Sequence, residues 1–112
     1  LKYLNRTILI VKPKQPLVDW MNSFDEDEVI TLAEVEADAE AYLIAECEDE
    51  KDMEKLIQQH YQEIFQEQLN NLIADPEGWP EITESLFHEW FSLELYTMVG
   101  DLDKKPLTLE EF

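Results

Sequence analysis

"RTILIVK", residues 6–12, is short, rich in β-branched side chains and apolar on both of its alternating sets. That pattern predicts a central strand covered on both faces, and it makes the chain something other than a helical bundle. Pro13 stops the strand, and Pro16 suits the first turn of a following helix, where its missing N–H costs nothing. In "PLVDWMNSF" the apolar residues Leu17, Trp20, Met21 and Phe24 fall at i, i+3, i+4 and i+7, which is one helical face.

Further along, Thr31 stands three residues before Glu34, the capping-box spacing, so a short helix is expected over about 32–37. "EAYLIAE", residues 40–46, reads as a second strand. From Lys51 to Ala74 the set Met53, Leu56, Ile57, Tyr61, Ile64, Phe65, Leu69, Leu72 and Ile73 keeps helical spacing. "DPEGWPE", residues 75–81, is a loop with two prolines and one of only two glycines. Thr83 can cap another helix whose inward residues are Leu86, Phe87, Trp90 and Phe91. "SLELYTMVG", residues 92–100, alternates and reads as a third, half-exposed strand. The order β-α-(α)-β-α-α-β predicts an α+β fold, a small sheet of about three strands packed by helices, in a single globular domain over 1–112.

Three segments, "KPKQPLVDW", "AYLIAE" and "FHEWFSLELYTMVGDL", together resemble a family of small acidic bacterial proteins with the same order of segments. The likeness covers most of the chain. The function of that family is uncharacterised, so the resemblance implies a free-standing bacterial domain and carries over no catalytic or binding residue.

Charge is the strongest feature of the composition. The chain carries 27 acids against 8 bases, a net charge of −19 at pH 7, yet 45% of its residues are hydrophobic and it should fold. Residues 1–14 hold Lys2, Arg6, Lys12 and Lys14 and no acid. The rest, with four bases against all 27 acids, stands at −23. Such a surface repels nucleic acid and anionic membranes, so neither is an expected partner. Cys47 is the only cysteine, which rules out an intrachain disulfide, and Glu46 and Glu48 beside it should disfavour its thiolate. The longest apolar run, "AYLIA", is far short of a membrane span, and no signal-peptide pattern is visible, so a soluble cytoplasmic protein is expected.

Several chemistries fail on spacing. An EF-hand starting at Asp25 would place Asp27 and Glu36 correctly at its third and twelfth positions, but it puts Val29 and Ile30 where a ligand and a glycine belong. "HEWFS" lacks the second histidine of a zinc-protease helix, having Ser92 there. The positions three before His60 and His88 are Ile57 and Ser85, so no Glu-x-x-His motif exists. Gly78 and Gly100, the only glycines, cannot build a phosphate loop. His60 reads as a boundary residue of the long helix and His88 as a partner of Glu84 one turn earlier. A carboxylate pair such as Glu63 and Glu67 reads first as a solvated helix face. No cofactor or metal is expected.

What remains is recognition. Asp25, Glu26, Asp27 and Glu28 form a run just ahead of a helix start, where the helix dipole favours negative charge, and the run is either a solvated loop or a contact for a basic protein. Trp79, between Gly78 and Pro80, either packs down as a plug or stands exposed as a binding anchor. The reading is a small acidic intracellular domain that binds a basic macromolecular partner. The alternatives are a carboxylate-based or loosely metal-dependent enzyme and a structural, self-associating subunit.

Overall fold

The computed structural model describes residues 1–24, 29–72 and 76–111. The acidic run Asp25, Glu26, Asp27 and Glu28 lies outside them. Strand β2 (Thr7–Pro13) is central, with β3 (Glu40–Ile44) and β4 (Phe91–Tyr96) antiparallel on either side, in the order β3-β2-β4. A shorter pair, β1 (Lys2–Tyr3) and β5 (Gly100–Asp101), continues the β2–β4 ladder outward as a two-stranded ribbon, joined by the Leu4 N–H to the Val99 carbonyl at 2.8 Å. Helices α1 (Gln15–Asn22), α2 (Leu32–Glu36), α3 (Glu50–Leu72) and α4 (Glu84–Trp90) complete an α+β fold.

Register decides what the sheet buries. Leu9 pairs with Tyr42 and Leu95, and Val11 with Glu40 and Leu93, while Thr7 faces Ile44 and Pro13 faces Phe91. Directly paired residues share a face. On this face Thr7, Leu9, Val11 and Pro13 are all buried. The helices meet them there, Leu17 from α1, Ile57, Ile64, Phe65 and Leu69 from α3, and Phe87 and Trp90 from α4, in one continuous core. Phe65 lies at its centre, with ring centroids 5.4 Å from Phe91, 5.7 Å from Trp90 and 5.9 Å from Phe87.

The opposite face carries Ile8, Ile10 and Lys12, flanked by Leu43 and Ala41 on β3 and by Tyr96, Glu94 and Ser92 on β4. It is open, with Leu43 52% and Tyr96 50% exposed. The expectation that β2 is covered on both faces is therefore corrected. Its second apolar row is only half-shielded, by its cross-strand neighbours, because α1, α3 and α4 all feed the core on the other side. Lys12 Nζ donates to Glu94 Oε1 at 2.8 Å on this face, raising the lysine pKa and lowering that of the carboxyl, chiefly through the hydrogen bond itself.

Local readings hold where chemistry is local. Thr31 accepts the Glu34 N–H at 3.3 Å and Glu34 accepts the Thr31 N–H at 3.2 Å, a complete capping box on α2. Thr83 accepts the Leu86 N–H at 3.1 Å and starts α4. Two boundaries shift. Phe91, expected on the helix, is the first residue of β4, because α4 passes directly into the strand. The third strand ends at Tyr96, so the alternation through Thr97 and Val99 belongs to the connection to β5.

Candidate functional site

Strand β3 brings its N-terminal end to the C-terminal part of α3, and α2 closes over the gap. The result is a cleft of about 450 Å³. Its apolar floor is Met21, Ile30, Val35 and Leu72, and carboxylates from Glu34, Asp38 and Glu40 line it as well. Gln68 and Asn71 contribute amides from α3. Apolar surface beside carboxylates suits a long, partly aliphatic cation.

One side is rigid. Asn71 Nδ2 donates to Glu40 Oε1 at 2.7 Å, and the Tyr42 hydroxyl donates to Glu40 Oε2 at 3.0 Å while accepting from Gln68 Nε2 at 2.9 Å. This chain of bonds ties β3 to α3. Burial, against the opposing bond from Gln68 and assisted by the Glu40 and Glu67 charges, pushes the Tyr42 phenol well above its ordinary pKa, so it stays a donor. Glu67 also reaches Glu40. Its carboxyl is raised by burial first, then by a hydrogen bond with Glu40 and by that residue's charge. The carboxylate that pairs most closely with Glu67 is thus Glu40 across the β3–α3 seam; Glu63, its neighbour along the helix, is a weaker influence.

The sign of that shift gives a test. A carboxyl whose folded pKa exceeds its unfolded value favours the folded state below the unfolded pKa, and that contribution is lost as pH rises through the folded pKa. At pH 7 ionised Glu67 therefore costs stability. Glu67→Gln should raise the melting temperature at neutral pH, and the gain should vanish in acid below the unfolded carboxyl range. An equal gain at both pH values would mean that ionisation of Glu67, which burial and Glu40 disfavour, is not the cause.

The described residues that flank the acidic run meet at this cleft. Asn22 Nδ2 donates to the Ile30 carbonyl and Asn22 Oδ1 accepts the Ile30 N–H, both at 2.9 Å, so the described residues on either side of the acidic run are clamped together where Met21 and Ile30 line the cleft. Trp79, the other expected site residue, is half-buried against the core, and its N–H donates to the Pro76 carbonyl at 3.1 Å. Phe24, the last described residue before the acidic run, packs toward the loop that holds Trp79. Its ring lies 3.3 Å from where a Cβ on Gly78 would stand, and it packs edge-on against Trp20 with centroids 4.9 Å apart.

Sequence reasoning missed Val35, Asp38, Glu40, Gln68 and Asn71. The closely spaced acids of "EVEADAE", residues 34–40, were the only hint, because the site exists only once three elements converge. Elsewhere, Glu84 and His88 approach to 3.7 Å, as their spacing predicts. Cys47 has its thiol pKa raised by burial and then by Asp52 and Asp49, so the acids that act on it are these two rather than the adjoining Glu46 and Glu48. Among the described residues no group of three or more His, Cys, Asp or Glu side chains could hold a metal ion, and no helix is long and apolar enough to cross a membrane. No family model, curated protein or solved structure matches this chain.

Proposed function

We propose that the protein is a small binding domain for a basic protein partner, and that it takes a lysine or arginine side chain of that partner into the cleft between α2, β3 and α3. The observation that carries this reading is the pairing of an apolar floor with carboxylates on a prearranged scaffold. The aliphatic stem of the partner residue covers Val35 and Leu72, and its charge meets Glu34 and Asp38. A net charge of −19 steers a cationic surface toward the domain and opposes nucleic acid. Asp25, Glu26, Asp27 and Glu28 add to this steering through their charge. We place this activity in the cytoplasm.

A short peptide alternating arginine and leucine, titrated into the isotope-labelled protein, tests the reading. Amide shifts should concentrate at Val35, Asp38, Gln68 and Asn71. Glu34→Gln with Asp38→Asn should weaken binding at least about tenfold, and Gln at position 34 keeps the capping box. Replacing Asp25–Glu28 with the corresponding amides should weaken it further and flatten its salt dependence. The same peptide with citrulline for arginine should not bind. Equal binding of the citrulline peptide, or shifts spread evenly over the acidic surface, would overturn the proposal.

A further inference from the structure

Strand β3 is an outer strand of the three-stranded sheet and pairs with β2 along one edge only. Among the described residues no hydrogen bond reaches the backbone of residues 40–44 from any element but β2, so the alternate N–H and C=O groups on the other edge are free. Proteins usually block such an edge with lysine, proline or a bulge. The stretch Glu40-Ala41-Tyr42-Leu43-Ile44 has none of these, and its register with β2 runs unbroken. A groove of about 190 Å³ follows this edge. Tyr42 and Ile44 point to the core face and Leu43 to the open face, so a cavity that touches all three together with α3 lies along the outer border of the strand. Ile44 and Ile64 supply apolar surface, and Glu63 and Glu67 line the groove from α3.

We propose that this edge takes up an extended segment of the basic partner as a fourth strand, with lysine or arginine at alternate positions lying over Glu67 and Glu63. The inference rests on the reading of the neighbouring cleft as a site for a cationic side chain. Spacing selects an extended occupant. Glu63 and Glu67 are one turn apart on α3, about 6 Å along its axis, and alternate residues of a strand repeat at about 6.6 Å. The bonds Asn71 to Glu40 and Gln68 to Tyr42, with Ile64 and Ile44 in one groove, show α3 running antiparallel beside β3, so the two repeats stay in step. Charge selects a cationic occupant. Among the described residues neither Glu63 nor Glu67 takes part in an ion pair, and Glu67 is pressed against Glu40, a repulsion that a cation relieves. On the other outer strand, β4, the acid Glu94 is already neutralised by Lys12. Toward Ala45 the groove passes Arg6, His60 and Glu46, where charge is mixed, so the cationic positions end opposite Glu63. In the other direction Tyr42, in the groove, donates to Glu40, in the cleft, so the next cation along the segment enters the cleft. The intervening side chains emerge on the open face beside Ala41 and Leu43, where apolar residues fit. A second copy of the chain is a poor occupant, because its own β3 would bring the same carboxylates to the edge with a net charge of −19 behind them. Strand addition of this kind draws affinity from main-chain bonds and specificity from alternate side chains.

The peptide alternating arginine and leucine, added to the isotope-labelled full chain, is the probe. Besides the cleft amides, those of Ala41, Tyr42, Leu43 and Ile44 should shift, and hydrogen exchange should slow at alternate residues of β3. Glu63→Gln with Glu67→Gln should weaken binding at least about tenfold without lowering the melting temperature. A peptide of the same composition in the repeating order Arg-Arg-Leu-Leu, in which no two arginines stand two apart, should also bind at least about tenfold more weakly. Equal binding of the two peptides, or cleft shifts with β3 exchange unchanged, overturns strand addition and leaves the cleft reading standing. Slowed exchange in β3 with no shift at Val35 or Asp38 supports the edge and sinks the cleft reading instead. An alternating peptide that does not bind at all overturns both. Amides of β3 that broaden with protein concentration alone would put a second copy on the edge and overturn the proposal as well.

Discussion

Phe65→Ala should cost about 3–5 kcal/mol, the range for deleting a buried aromatic side chain. The position is fully buried on α3, and its ring touches the aromatic rings of Phe87, Trp90 and Phe91, so one truncation opens a cavity shared by α3, α4 and β4. None of these neighbours collapses easily into the gap, because Trp90 is also held by Trp20 at 5.2 Å and Phe91 is fixed in the ladder opposite Pro13. A domain of this length has roughly 6–17 kcal/mol of total stability, so the loss is a large part of it. Urea unfolding followed by tryptophan fluorescence measures the effect, with Phe65→Leu expected to recover about half by filling most of the volume. A loss below about 1 kcal/mol for the alanine variant would mean that α3 does not seat Phe65 between the sheet and α4.

The elements most legible from sequence were those whose evidence is local. Thr31 and Glu34 form their capping box three residues apart, and the apolar ridge of α3 from Met53 to Leu72 is repeated often enough to fix its period. Strand β2 was legible as a strand, but which of its faces would be buried was not. Leu9 and Val11 on one face and Ile8 and Ile10 on the other are equally apolar, and only the helices' choice of side breaks the tie. The α4–β4 junction misled because Phe91 completes a helical spacing with Phe87 while also beginning a strand alternation. Ribbon strands of two residues, Lys2–Tyr3 and Gly100–Asp101, are too short to show any period. The candidate site was the least legible part. Asn71 finds Glu40 across 31 positions and Gln68 finds Tyr42 across 26, and such pairings are set by topology rather than by neighbours in the chain.

Raising sodium chloride from about 20 mM to about 500 mM at pH 7 should stabilise the domain by on the order of 3 kcal/mol, or roughly 10 °C or more in melting temperature. A net charge of −19 is confined within a body whose radius of gyration is 15.9 Å. Smearing that charge over folded and unfolded radii gives an excess folded-state repulsion on the order of 10 kcal/mol at low salt, an upper limit because ion pairs and charge placement reduce it. Local compensation is sparse. Among the described residues the side-chain ion pairs are Lys12–Glu94 at 2.8 Å and Glu84–His88 at 3.7 Å, and the second acts only when His88 is protonated. The expected stabilisation has the opposite sign to the salt effect on the peptide titration, where screening weakens attraction between the acidic surface and a cationic ligand. The two signs together separate a recognition surface from a merely solvated one. A solvated surface shows the stability gain alone, and a recognition surface shows the gain together with the loss of binding. Stability that fell with added salt would mean that the two ion pairs outweigh the net repulsion, and the Lys12→Met variant would then lose that dependence.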